Sequence, residues 1–124
     1  MKRTRHMLVH AALAGAAAAA SSALQAHAML EHAAPPVGST VHAAPGRVEL
    51  WFSEELEPVF STVKVLDKDG HEVDRGDKTI DPADRKHVLV SLPPLAPGHY
   101  RVVWRALSVD SHVTEGDYGF DLAP

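Results

Sequence analysis

The chain has no cysteine among its 124 residues, which excludes a disulfide framework, a thiolate metal cluster and a catalytic thiol. Basic side chains are scarce too. There are 12 Lys and Arg against 16 Asp and Glu, and three of the cations, Lys2, Arg3 and Arg5, fall in the first 26 residues, which hold no acid. The rest of the chain therefore carries 9 basic against 16 acidic side chains, a formal charge of −7. Phosphate recognition needs clustered Lys and Arg, so this balance argues against nucleic acid as a partner. Long apolar runs are also missing. The stretch from Met7 to Ala20 is shorter than the roughly 18 residues a membrane-spanning helix wants, and no second run follows it, so the mature chain is expected to have no membrane span. What remains is one small domain whose chemistry must rest on nitrogen and oxygen donors.

The N-terminus has the order of a secretory signal: a positive segment Met1 to Arg5, the apolar stretch, then the small residues Ser21, Ser22 and Ala23 before Ala26. Two cleavage points are open. Ala26-His27-Ala28 fits the small-x-small rule and favours cutting after Ala28, which makes Met29 the first residue. Cutting after Ala26 exposes His27 instead. The difference is chemical, because an N-terminal histidine offers its free α-amine and its ring Nδ1 to one ion and closes a chelate without help from the fold.

From residue 27 onward, short runs of alternating apolar and polar residues are punctuated by Pro, Gly and Asp, which predicts an all-β domain. Val48, Leu50 and Phe52 share one face of an extended segment and Arg47, Glu49 and Trp51 the other. Thr62 to Leu66, His71 to Asp74, Val88 to Leu92, Tyr100 to Leu107 and Gly116 to Leu122 are further expected strands. Asp67-Lys68-Asp69-Gly70 and Leu95-Ala96-Pro97-Gly98 are expected turns, the first closing a hairpin. Pro93-Pro94 ends a strand, because proline cannot donate to a ladder. Gly76 to Lys86 reads as a solvated loop. About seven short strands in this length suit an immunoglobulin-like Greek-key β-sandwich. The aromatics Trp51, Phe52, Phe60, Tyr100, Trp104, Tyr118 and Phe120 are expected as core or sheet side chains.

One short constellation carries chemistry. In Ser108-Val109-Asp110-Ser111-His112, Asp110 and His112 stand two apart, so an extended backbone would send both side chains from one face toward a single ion. On its own, such a pair is weak evidence, because a surface Asp and His at a strand end arise often by chance.

The surrounding motifs add specificity. His27-Ala28-Met29-Leu30, PPVGSTV (Pro35 to Val41), VELWFSE (Val48 to Glu54), the run from Pro97 through Trp104 to His112, and then Gly116 and Phe120 together resemble the CopC family of periplasmic copper-binding and copper-resistance proteins. The resemblance covers nearly all of the mature chain. It implies a β-sandwich whose Cu(II) site uses an N-terminal histidine through amine and imidazole, together with the aspartate and histidine of the D-x-H segment. Carried onto this sequence, the ligands are His27, Asp110 and His112, with Glu54 as a nearby carboxylate that is a weak ligand or an outer partner. It also implies cleavage after Ala26, leaving residues 1–26 as signal and 27–124 as the copper-binding domain.

The expected function is a monomeric periplasmic Cu(II) carrier, not an enzyme, that sequesters copper and passes it to an inner-membrane copper transport protein. Two imidazoles, an amine and a carboxylate suit Cu(II), which outranks Zn(II) and Ni(II) for such donors. The chain departs from the methionine-rich resistance members in keeping only Met29 beyond the signal, too little thioether for a separate Cu(I) site. His32 is the first auxiliary to consider, and His42, His71, His87 and His99 read as surface or packed histidines. Two other classes stay open: a histidine-brace copper oxygenase, and a sandwich that serves as an interaction module without metal.

Overall fold

The computed structural model describes residues 28–124, so the signal segment and His27 lie outside the described residues. The strands are β1 (Leu30–Ala34), β2 (Thr40–Val41), β3 (Arg47–Phe52), β4 (Thr62–Leu66), β5 (Thr79–Asp81), β6 (Asp84–Ser91), β7 (Gly98–Leu107) and β8 (Val113–Leu122). They form two four-stranded sheets, ordered β1-β3-β6-β5 and β2-β8-β7-β4. Every described pairing is antiparallel except β2 with β8. This is the all-β sandwich expected from the alternation. Among the described residues no helix is long and apolar enough to cross a membrane.

The period-two pattern explains why the sheets face each other. Val48, Leu50 and Phe52 of β3 and Val88 and Val90 of β6 are buried from one side, and Val63, Val65, Val102, Ala106, Phe120 and Leu122 from the other. Val48 pairs with Val90 and Leu50 with Val88, so adjacent strands present their apolar rows in register. Tyr118 is buried with its hydroxyl donating to the Pro35 carbonyl at 3.0 Å, and burial pushes its phenol pKa up. At Gly116 a Cβ would come within 2.3 Å of the Trp104 ring, so the indole needs a glycine beneath it.

Three expectations are corrected, and one strand, β1, had no expectation. Gly76 to Lys86 is not wholly loop, since β5 and the start of β6 lie within it; Ile80 packs on the core, which its charged neighbours conceal in the sequence. His71 to Asp74 turns back along β4 without becoming a strand. Val73 N–H donates to the Val65 carbonyl at 2.8 Å, but the Asp74 carboxylate accepts the Val65 N–H at 2.9 Å, so a side chain blunts the sheet edge. The strand β1 was hidden because its ladder shifts between Leu30 and His32, which breaks the alternation. Phe60 is an exposed loop residue and no part of the core.

Candidate metal centre

Asp110 and His112 lie on a turn, not on an extended strand. Ser108 bridges to Leu56, the chain then reverses through Val109 to Ser111, and β8 starts at Val113. Ser111 N–H donates to the Ser108 carbonyl and Ser108 N–H to the His112 carbonyl, each at 2.9 Å, and Ser111 takes the left-handed φ of 72° that closes the loop. The expected meeting of the two side chains therefore occurs, but by a different backbone route. Asp110 Oδ1 stands 3.3 Å from His112 Nδ1. That separation suits two ligands each about 2 Å from one ion.

Ser108 organises this turn and carries no signal of its own in the sequence. It is fully buried. Its hydroxyl donates to Asp110 Oδ1 and accepts the His112 N–H at 3.3 Å. The Ser108 hydroxyl chiefly, aided by the ring and backbone N–H of His112, holds the Asp110 carboxyl below the ordinary carboxylate range, against an upward pull from desolvation that is second only to the Ser108 bond. The carboxylate is thus kept ionised and aimed, as a cation ligand needs to be.

The chain on the C-terminal side of His27 is tied to the same end of the sandwich. Ala28 is 1% exposed, and its carbonyl accepts the Thr114 hydroxyl at 2.7 Å, two residues beyond His112. Met29 N–H donates to Ser53 Oγ, and Ser53 N–H to the Met29 carbonyl, both at 2.8 Å. Glu54, next to Ser53, is half-buried on the bend after β3. The segment that follows lies against the turn, with Val109 N–H donating to the Glu55 carbonyl at 3.1 Å. The structure does not bring Glu54 with Asp110 and His112 into one group of ligand atoms within 4.8 Å.

The other histidines are placed elsewhere. His32 packs on Trp51 with ring centroids 4.8 Å apart, and His87 stacks on the same indole at 4.4 Å. His87 also lies between two carboxylates, 3.2 Å from Glu49 and 3.5 Å from Asp81. His99 pairs with Asp121 at 2.9 Å, and His42 is exposed. Among the described residues, the one cluster of three metal-ligating side chains drawn within 4.8 Å is Asp67, Asp69 and His71, at the opposite end of the sandwich.

An eight-stranded sandwich with a carboxylate and an imidazole held together on an end turn defines a binding module with a cation-ready site. The chain belongs to the CopC family: residues 30–123 match the model of the CopC domain. The crystal structure of CopC from Methylosinus trichosporium OB3b superposes with a TM-score of 0.75 at 35% identity, over 79% of this chain and 95% of that one. That of PcoC, a methionine-rich copper resistance protein from Escherichia coli, gives 0.66 at 36% identity, over 78% of this chain and 99% of that one. The copper transport protein CutJ of Bacillus subtilis is 35% identical over 99 residues, which is 78% of this chain but 18% of that protein. Membership of this family bears out a binding protein and not an enzyme.

Proposed function

We propose that the chain is a periplasmic Cu(II)-binding protein that sequesters the ion and passes it to an inner-membrane copper transport protein. The ligands are the α-amine and Nδ1 of His27, with Asp110 and His112, and Glu54 stands nearby as a weak ligand or outer partner. The observation that carries this reading is the Ser108-held turn, which puts Asp110 3.3 Å from His112 beside the anchored Ala28. Nitrogen and carboxylate donors favour Cu(II), whereas Cu(I) wants the thioethers that a lone Met29 does not supply.

The same anchoring supports cleavage after Ala26. Ala28 is buried and hydrogen-bonded, so cleavage after Ala28 would delete a residue that belongs to the packed domain. Copper titration of the exported protein tests the proposal, with mass spectrometry fixing its first residue. Stoichiometric tight Cu(II) binding is expected, weakened equally by His27→Ala and by one extra residue ahead of His27. Equal affinity for the native and extended N-termini would remove the amine from the ligand set.

A further inference from the structure

Six large apolar side chains are prominently exposed among the described residues: Met29, Val37, Val59, Phe60, Val109 and Val113. They are not scattered. Val109 and Val113 flank the Asp110–His112 turn, Met29 is bonded to Ser53, and Val59 and Phe60 tip the loop whose Glu57 N–H donates to the Leu107 carbonyl at 2.8 Å. Val37 shares with Met29 a depression of about 390 Å³ backed by Trp104 and Tyr118. Apart from Val37, which lies beside Gly38 where the Gly38 N–H meets the Gly119 carbonyl further along β8, the apolar surface is collected around the end that bears Asp110 and His112.

The Val59–Phe60 tip is built, not frayed. The Lys78 ammonium donates to the Pro58 carbonyl on one side of it and to the Ser61 carbonyl, at 2.7 Å, on the other. Ser61 is buried, and its Oγ accepts the Leu107 N–H at 3.1 Å. These polar bonds keep Val59 82% and Phe60 59% exposed, although both side chains would gain by burial. An exposed aromatic on a loop held at both sides in this way serves as an anchor for a partner.

Charge selects the partner. Lys78 faces inward onto the two loop carbonyls and Arg85 onto the Leu56 carbonyl at 3.3 Å, and Arg105, exposed across from Thr62, is paired with Glu115 at 3.2 Å. Glu55 and Asp110 are exposed, and Glu54 and Glu57 half-exposed, so the apolar tip has an acidic rim. That rim repels an anionic bilayer and a second copy of the chain alike, and attracts a protein surface with Lys or Arg around an apolar socket. We infer that the Val59–Phe60 tip is the anchor by which the copper-receiving protein docks, with cationic residues of that protein meeting the rim. This rests on the proposed function, because the tip gains its purpose from sharing an end with the copper ligands.

The test uses the exported full chain and, as probe, the Bacillus subtilis copper transport protein with the segment matching this chain deleted, purified in detergent. The wild-type chain, copper-loaded or copper-free, should bind the probe. Val59→Ser/Phe60→Ser should weaken that binding at least tenfold at unchanged Cu(II) affinity, and Glu55→Lys/Glu57→Lys should weaken it as well. Undiminished binding by the tip variant overturns the inference, as does absence of binding by the wild type. Loss of Cu(II) affinity in the tip variant would assign the tip to the metal site instead, and tip-dependent binding to phosphatidylglycerol vesicles or tip-dependent dimerisation would assign it to those occupants. Failure of the wild-type chain to bind Cu(II) would sink the proposed function, a result read separately from docking.

Discussion

The two ends of the sandwich both gather metal-type side chains, yet they use them differently. At the far end Asp67, Asp69 and His71 are the larger group, but Asp67 Oδ1 accepts the N–H groups of Asp69 and His71, each at 2.9 Å. Its carboxylate is engaged in closing the turn, and His71 packs back at 3.6 Å. All of that geometry is local to five residues. At the near end, Asp110 is oriented by a buried hydroxyl, and the anchored Ala28 arrives from 86 residues away in sequence to meet Thr114. Proximity of ligand types is cheap on a turn; a turn whose buried residue is itself held by distant chain, as Ser108 is by its bridge to Leu56, is what distinguishes a site.

The largest contrast should come from removing an imidazole at each end. His112→Ala is expected to weaken Cu(II) binding on the order of a hundredfold or more, since loss of an outer partner alone costs about 10- to 100-fold. His71→Ala and His99→Ala should leave the affinity unchanged within about twofold. Competition titration against a Cu(II) chelator reads all three, and comparable losses at both ends would erase the distinction.

Ser108→Ala should be intermediate, lowering Cu(II) affinity about tenfold because Asp110 loses the group that aims it. Circular dichroism should show the fold retained, and Ser108→Thr should recover part of the affinity. A full-strength alanine variant would mean the turn backbone alone orients the carboxylate.

Asp67→Asn should do the converse: lower the Tm of the apo chain slightly, as expected when a charge-assisted turn contact is lost, and leave Cu(II) affinity alone. Thermal unfolding beside the copper titration checks both halves.

Protons supply the mildest probe. Asp67, Asp77, Asp81 and Asp110 all have carboxyls held below the ordinary range, the first three chiefly by hydrogen bonds from His71, Ser91 and Ala83 and the last by Ser108. A carboxyl with a depressed folded pKa stabilises the fold above its unfolded value, near pH 4, and loses that contribution as the pH falls through the folded value. Apo stability contributed by these groups should hold from pH 6 to about 4.5 and fall below about 4. Copper should leave earlier, because imidazole and amine nitrogens must be unprotonated to bind. Following Tm and the Cu(II) absorption over one pH series separates the two losses; a single shared midpoint would contradict them.

The strands that alternate cleanly, β3, β7 and β8, were readable because burial of every second side chain leaves a period-two record in the residues themselves. β1 left none, as its bulge resets the alternation, and β5 left little, as three edge residues bury only one side chain well. The D-x-H pair was legible from residue type and spacing, and the CopC motifs around it identified the family. Its extended geometry was misjudged, since spacing of two is equally served by a turn closed at Ser111. Phe60 was assigned to the core because composition records that a residue is aromatic and not which way a loop carries it.

The sequence by itself determined the all-β class, the chemistry limited to nitrogen and oxygen donors, and the presence of the D-x-H pair, because each follows from residue type and short-range spacing. Tertiary structure alone decided that Leu56 bridges to Ser108, that Ala28 reaches Thr114, and that Lys78 holds the Val59–Phe60 tip in solvent. Those contacts join segments whose separation along the chain leaves no periodic trace, and they form only when two sheets have closed over a common core and brought their loop ends together.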